Sequence, residues 1–257
     1  ELEHTEILGE TRAEIAFEKV SILGKSATLV TGVPPAPDAA GDVLDKHVAM
    51  LEAQVLRPDW VDDPPVDLER RNLDLAGLVL DELGRRGWGG GAATRAISAD
   101  LLDAAVVRAA RLPGRLEAFE LAGRWVVLDG AHVANSVSAL LDDLQRRPGL
   151  GSPPTCVFGA GKDKDLGGLL KILAERTDSL LCTTVGSSTA ATPEDLARAA
   201  GDSNFEVVES PRSALDRALE LAPGDGWILI TGSLHLAGAL RPLLCAEGHP
   251  RDLPQPC

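Results

Sequence analysis

The rhythm of the second half of this chain constrains its fold more than any other feature. Short apolar runs (Trp125-Val-Val-Leu-Asp129, Thr155-Cys-Val-Phe158, Ser179-Leu-Leu-Cys182, Glu206-Val-Val208 and Trp227-Ile-Leu-Ile230) are separated by helix-compatible stretches such as 135–146 and 165–176. Each run has strand length, and each stretch between them can carry the chain back to the same end of a sheet. Parallel strands need such a crossover, because a tight turn joins only antiparallel neighbours. The alternation predicts an α/β domain with a mostly parallel sheet.

The first part of the chain reads differently. Residues 10–23 have helical periodicity, Ala27-Thr-Leu-Val-Thr31 reads as a short strand, and the Pro/Ala/Gly stretch 33–41 reads as a loop. Helical periodicity returns over 42–55 and 67–86, the glycines of 87–91 make a joint, and a further helix is expected over 98–110. A domain boundary is expected near 108–116, dividing the chain into 1–110 and 111–257.

Composition narrows the class of function. With 257 residues, 44% hydrophobic and 25% charged, the chain can bury one large core or two modest ones. A formal net charge of −14 argues against nucleic acid or an anionic membrane as partner. No apolar run reaches the roughly 18–20 residues of a membrane span, and the N-terminus carries no basic and apolar secretion signal. A protein that is not secreted, in the cytoplasm or in a mitochondrion or plastid, is the expectation. Cys156, Cys182, Cys245 and Cys257 have no metal-like spacing, and the first two sit in apolar runs, where reduced thiols are expected.

Two motifs carry chemistry. The first is His4-Thr-Glu-Ile-Leu-Gly-Glu-Thr-Arg-Ala-Glu-Ile-Ala-Phe-Glu-Lys19, a histidine before a Leu-Gly turn and a helix-compatible run ending in Glu18-Lys19. The second is Leu112-Pro-Gly-Arg115 followed by Val126-Val-Leu-Asp129-Gly-Ala-His132. Arg115 offers a fixed cation for phosphates, and Asp129 stands at a strand's C-terminal end, where open α/β sheets bind ligands. Both motifs resemble those of the folylpolyglutamate and dihydrofolate synthases, the folate branch of the ATP-dependent Mur ligase superfamily. Further similarity lies in Arg71-Asn72, which opens a Leu- and Ala-rich helix, and in Thr231-Gly-Ser-Leu234 after the last parallel strand.

The resemblance implies a fold and a set of roles. Residues 1–110 would be the end of a P-loop-type central α/β domain, and 111–257 a complete Rossmann-like C-terminal domain. His4 would be a metal ligand, and Lys19, often carbamylated in the family, would serve metal and catalysis. Asn72, Arg115 and Asp129 would contact ATP, and His132 would line the same site and count as catalytic. The cofactors would be ATP and Mg2+; the substrates would be glutamate and a folate or dihydropteroate, joined through an acyl phosphate. The sequence departs from the family at Glu3, where aspartate is usual, at Val20-Ser21 in place of Ala-Gly, and at Val133-Ala134 in place of Asn-Pro.

No Gly-Thr-Asn-Gly-Lys-Gly-Ser-like phosphate loop occurs in the chain. Phe158-Gly-Ala-Gly-Lys-Asp-Lys-Asp165 is not a substitute. The phosphate-loop pattern would need glycine at Cys156 and Ser or Thr at Asp163. The stretch reads instead as a strand-end loop whose last aspartate caps the next helix. The chain thus resembles the C-terminal portion of a ligase. The alternative is a noncatalytic Mur-ligase-like subunit in a larger assembly, with a protein partner covering its exposed N-terminal sheet edge.

Overall fold

The computed structural model describes residues 5–88, 97–184, 186 and 188–256. They fall into two compact units, Glu1–Ala110 and Arg111–Cys257.

The first unit runs α1 (Thr5–Leu8), α2 (Arg12–Val20), β1 (Thr28–Val30), α3 (Ala39–Met50), β2 (Gln54–Leu56), α4 (Leu68–Arg85), a 3-10 turn (Ala99–Leu101) and α5 (Ala104–Ala110). Helix α2 starts at a capping box: Thr11 Oγ1 accepts from the Glu14 amide, and Glu14 accepts from the Thr11 amide in return. Its buried Ala16 and Val20 pack on Ala40 and Leu44 of α3. Strands β1 and β2 pair in parallel across α3, a single βαβ crossover, and neither strand is fully buried. Glu82 of α4 ties that helix to the sheet. It accepts from Thr28 Oγ1 at 2.8 Å and from Arg85 and Arg86, and these partners, Arg85 foremost, hold its carboxyl far below the usual range.

Several boundaries differ from the sequence expectation. The helix expected over 10–23 stops at Val20, where the Ser21 hydroxyl bonds back to the Phe17 carbonyl. The helix expected over 42–55 begins earlier, because Asp38 caps the Ala40 and Gly41 amides, and it ends at Met50. Residues 54–56 are then taken by β1 as a strand, a tertiary pairing that overrides local periodicity. The helix expected over 98–110 is broken at Leu102, and α5 restarts with Asp103 accepting from the Ala105 and Val106 amides. The glycine joint lies largely outside the described residues, since 89–96 are not among them.

The second unit runs β3 (Glu117–Leu121), β4 (Arg124–Leu128), α6 (Ala134–Leu144), β5 (Thr155–Phe158), α7 (Leu166–Arg176), β6 (Ser179–Thr183), α8 (Pro193–Ala199), β7 (Glu206–Val208), α9 (Pro211–Leu221), β8 (Ile228–Thr231), α10 (Leu234–Glu247) and β9 (His249–Arg251). The sheet order is β7-β6-β5-β8-β4-β3-β9. The strands from β7 to β4 are parallel; β3 joins β4 and β9 antiparallel. The turn between β3 and β4 is Ala122-Gly123, both at positive φ, the backbone a two-residue hairpin requires.

Strand side chains alternate between two helical layers. Val127, Cys156, Leu180, Cys182 and Leu229 face α6, α7 and α8, while Val126, Leu128, Val157, Leu181, Ile228 and Ile230 face α9 and α10. A sheet covered on both faces explains why its central strands are apolar throughout rather than alternating. The thiols of Cys156 and Cys182 are free and buried, and burial raises both, that of Cys182 to about 12. They behave as small apolar groups.

Candidate functional site

Strands β4, β8 and β5 are neighbours, and the chain leaves them toward opposite layers: α6 and α7 on one face, α10 on the other. A crevice at the C-terminal ends of strands whose connections diverge is where open α/β sheets bind ligands. The loops meeting there are 129–133 after β4, 159–165 after β5 and 232–233 after β8. They are stitched by backbone bonds: Asp129 N–H to Ile230 O at 3.0 Å, Gly232 N–H to Ala131 O at 2.8 Å, and Gly159 N–H to Thr231 O at 3.3 Å. Gly232, at φ +106, has no room for a side chain, since a Cβ would stand 2.6 Å from the Phe158 ring.

Asp129 is the buried charge of this crest. Its Oδ2 accepts from Leu116 N–H at 2.9 Å and its Oδ1 from Ala131 N–H at 2.8 Å. Burial pushes its pKa up, and this outweighs the two amides and the nearby Arg115 and His132, which all pull it down. His132 is oriented by its own loop: Nδ1 lies 2.8 Å from the Gly130 carbonyl. A carbonyl only accepts, so the proton sits on Nδ1 and Nε2 is the basic nitrogen of the neutral ring. Across the crest, burial works to raise the Asp163 carboxyl, but Lys164, its own backbone amide and His132 hold it below its ordinary value. The last aspartate of that loop, Asp165, caps α7 by accepting from Gly168 N–H at 2.9 Å.

Arg115 is exposed, on the turn that precedes β3. That turn is unusual: Gly114 lies at φ +70 and Leu116 at φ +45. A left-handed leucine costs roughly 1–2 kcal/mol, so the surroundings must hold it. They do so through Gly130 N–H to Gly114 O at 2.9 Å, Arg115 N–H to Leu112 O at 3.2 Å, and the Leu116–Asp129 bond. Glu117 adds a further hold, accepting from Gly114 N–H at 2.7 Å while Arg241 of α10 grips both of its oxygens.

Arg115, Asp129 and His132 therefore come together on one crest. Lys19 and Asn72 belong to the first unit, both exposed, Lys19 in the last turn of α2 and Asn72 in α4. His4 lies outside the described residues. Among the described residues no three His, Cys, Asp or Glu side chains come together to hold a metal, and Lys19 could join a magnesium site only as its carbamate, since the ammonium would repel the ion. A nucleotide phosphate is a better match, for it is an anion and Arg115 offers an exposed guanidinium beside the crest. Sequence reasoning missed Glu117 and Arg241; the one signal available was an acidic residue two positions after the turn's arginine.

A mostly parallel sheet of this order, covered by helices on both faces and with a crevice at the ends of β4, β8 and β5, is a Rossmann-like α/β domain. The family described as "Mur ligase, glutamate ligase domain" matches residues 114–234. The dihydrofolate synthase/folylpolyglutamate synthase of Escherichia coli is 28% identical over 250 residues, covering 91% of this chain and 56% of the relative. Among solved structures, Mycobacterium tuberculosis folylpolyglutamate synthase complexed with ADP and AMPPCP superimposes with TM-score 0.72 at 26% identity, over 99% of this chain and 63% of that one. The E. coli enzyme in complex with DHPP and ADP gives TM-score 0.71 at 22% identity, over 96% and 60%. Residues 114–234 thus carry a Mur ligase glutamate ligase domain, and the chain is similar over most of its length to folylpolyglutamate/dihydrofolate synthases, spanning a little over half the length of the E. coli relative.

Proposed function

We propose that this chain is the C-terminal portion of an ATP-dependent ligase that adds glutamate to dihydropteroate or a folate. The observation that carries the reading is the assembly of Arg115, Asp129 and His132 on the crest of a glutamate ligase domain. In the reaction a substrate carboxylate oxygen attacks the γ-phosphorus of ATP, the bond to ADP breaks, and an acyl phosphate forms. The glutamate amine then attacks the acyl carbon, phosphate departs with the C–O electron pair, and the amine's proton goes to a base. Arg115 steadies phosphate charge, and Asp129 fixes the turn that presents Arg115. His132, its ring oriented by the contact of Nδ1 with the Gly130 carbonyl, is the base proposed to take the proton. In the complete protein Asn72 would contact the nucleotide and Lys19 would serve the metal, and magnesium would arrive with the nucleotide. Such an enzyme would work in the cytosol, a mitochondrion or a plastid; among the described residues no helix is long and apolar enough to cross a membrane.

Calorimetric titration with ADP tests the reading directly. The chain should bind ADP, and Arg115→Ala should weaken binding about tenfold, the size expected for one charge-assisted contact. Joined to the N-terminal part of the E. coli relative, it should support ATP-dependent glutamate ligation. A folded, joined protein inert with every pterin substrate would sink the proposal.

A second reading, a noncatalytic subunit of an assembly, is favoured by β1 and β2. Two parallel three-residue strands, neither fully buried, make too little sheet to stand alone, which supports a partner pairing with this edge. Native protein that purifies as an ATP-binding monomer would count against it.

A further inference from the structure

We propose that the Glu117–Arg241 pair is a positioning device for the nucleotide-phosphate contact: it sets the turn that carries Arg115 and thereby the approach of Asp129. The inference rests on the nucleotide reading above and names residues that reading does not use.

The residues on either side of Arg115 both have their backbone amides taken by carboxylates. The Gly114 amide is taken by Glu117 Oε2 at 2.7 Å, and the Leu116 amide by Asp129 Oδ2 at 2.9 Å. Arg115 is thus pinned on both sides by carboxylates, one from the following strand and one from the crest. Both flanking residues hold left-handed backbone, which a loose turn would relax. Glu117 can fix Gly114 only if its own carboxylate is fixed. Arg241 does this with Nε at 3.0 and 2.9 Å from the two oxygens and Nη2 at 2.9 Å from Oε1, a two-pronged grip. Arg241 in turn stands on α10, which is anchored by the fully buried Leu240 and Leu244. A chain of contacts therefore runs from the core through α10, Arg241 and Glu117 to the turn. From there Gly114 O reaches the crest by accepting from Gly130 N–H at 2.9 Å. The pair touches no reacting atom, so its contribution is orientation.

The test uses the chain as it stands, with Glu117→Gln and Arg241→Lys. Glutamine presents an NH2 to the guanidinium and cannot accept with both atoms; lysine keeps the charge and one bond. Two readouts are taken on each protein: ADP and AMP affinity by calorimetry, and amide exchange by NMR at Leu116 and Gly130, whose amides donate to Asp129 and Gly114 rather than to Glu117. In Glu117→Gln the proposal expects ADP affinity to fall about tenfold and AMP affinity to fall less. Exchange should quicken at Leu116 and Gly130 while the Ile230 amide stays protected, and Arg241→Lys should show smaller changes of the same kind. A pair that merely stabilises the domain would loosen all amides together and spare the ADP-to-AMP ratio. Unchanged exchange at Leu116 and Gly130, or unchanged ADP affinity in a wild type that binds ADP, overturns the proposal. A wild type that binds no ADP overturns the nucleotide reading instead, and the proposal falls with it as a statement about ligand, while exchange still decides whether the pair sets the turn.

Discussion

Asp129 is held in a place that opposes its charge. Its pKa is raised by burial, so the folded protein holds that proton more tightly than the unfolded chain does. The stability attributable to the group is then fully present below the ordinary aspartate value of about 4 and declines as pH rises through the raised value. Urea unfolding of the wild type and Asp129→Ala between pH 3 and 7 should show a gap that narrows with pH; a widening gap would contradict the assignment. Retaining such a residue against its own destabilising effect accords with a functional role. Arg115, Asp129 and His132 were legible because they lie within one short motif, where the turn and the strand end keep them neighbours. Glu117 and Arg241 were not, since their pairing is made only when α10 packs beside β3.

At the scale of elements, α6 carries a visible defect. Its N-cap is Val133, which has no side-chain acceptor, so the first amides of the helix lack the cap that Thr11, Asp38, Asp67, Asp165 and Ser233 supply elsewhere. Val133→Asn should raise unfolding stability by about 1 kcal/mol, seen as a higher urea midpoint at unchanged slope. No gain would mean that burial of the valine at this half-buried position offsets the cap. Helices with strong caps and long periodicity could be read from the sequence, α4 and α7 among them. Those whose ends depend on distant partners could not. The end of α3 and the existence of β2 are set by pairing with Thr28–Val30, and a three-residue strand is too short to leave a periodic signal.

For the whole molecule, the parallel sheet was readable because its central strands are buried on both faces and so appear as unbroken apolar runs. The C-terminal segment was not, because its strand His249–Arg251 is exposed and contains a proline. That segment nevertheless closes the second unit. Leu253 is buried in the core, Pro254 O accepts from Arg147 Nη1 at 2.8 Å, and Arg147 is itself fully buried against Asp143 at 2.7 Å. Truncation after Arg251 should cost about 3 kcal/mol, from the lost leucine burial and the acceptor taken from a buried guanidinium. Equilibrium urea unfolding would measure it, and a loss below about 1 kcal/mol would show the tail to be dispensable.

Strand β8 lies between β5 and β4 and pairs with both, yet it is made after β5, β6 and β7. On the ribosome, β4 and β5 must wait with unpaired edges until Ile228–Thr231 emerges, and the crest cannot exist before then. Arg115 and Asp129 are joined through the β3–β4 hairpin as soon as it forms, but they are fixed against the crest only after β8 has emerged. A nascent chain stalled before β8 would carry Arg115, Asp129 and His132 without the Asp129–Ile230 and Gly232–Ala131 bonds that fix the crest.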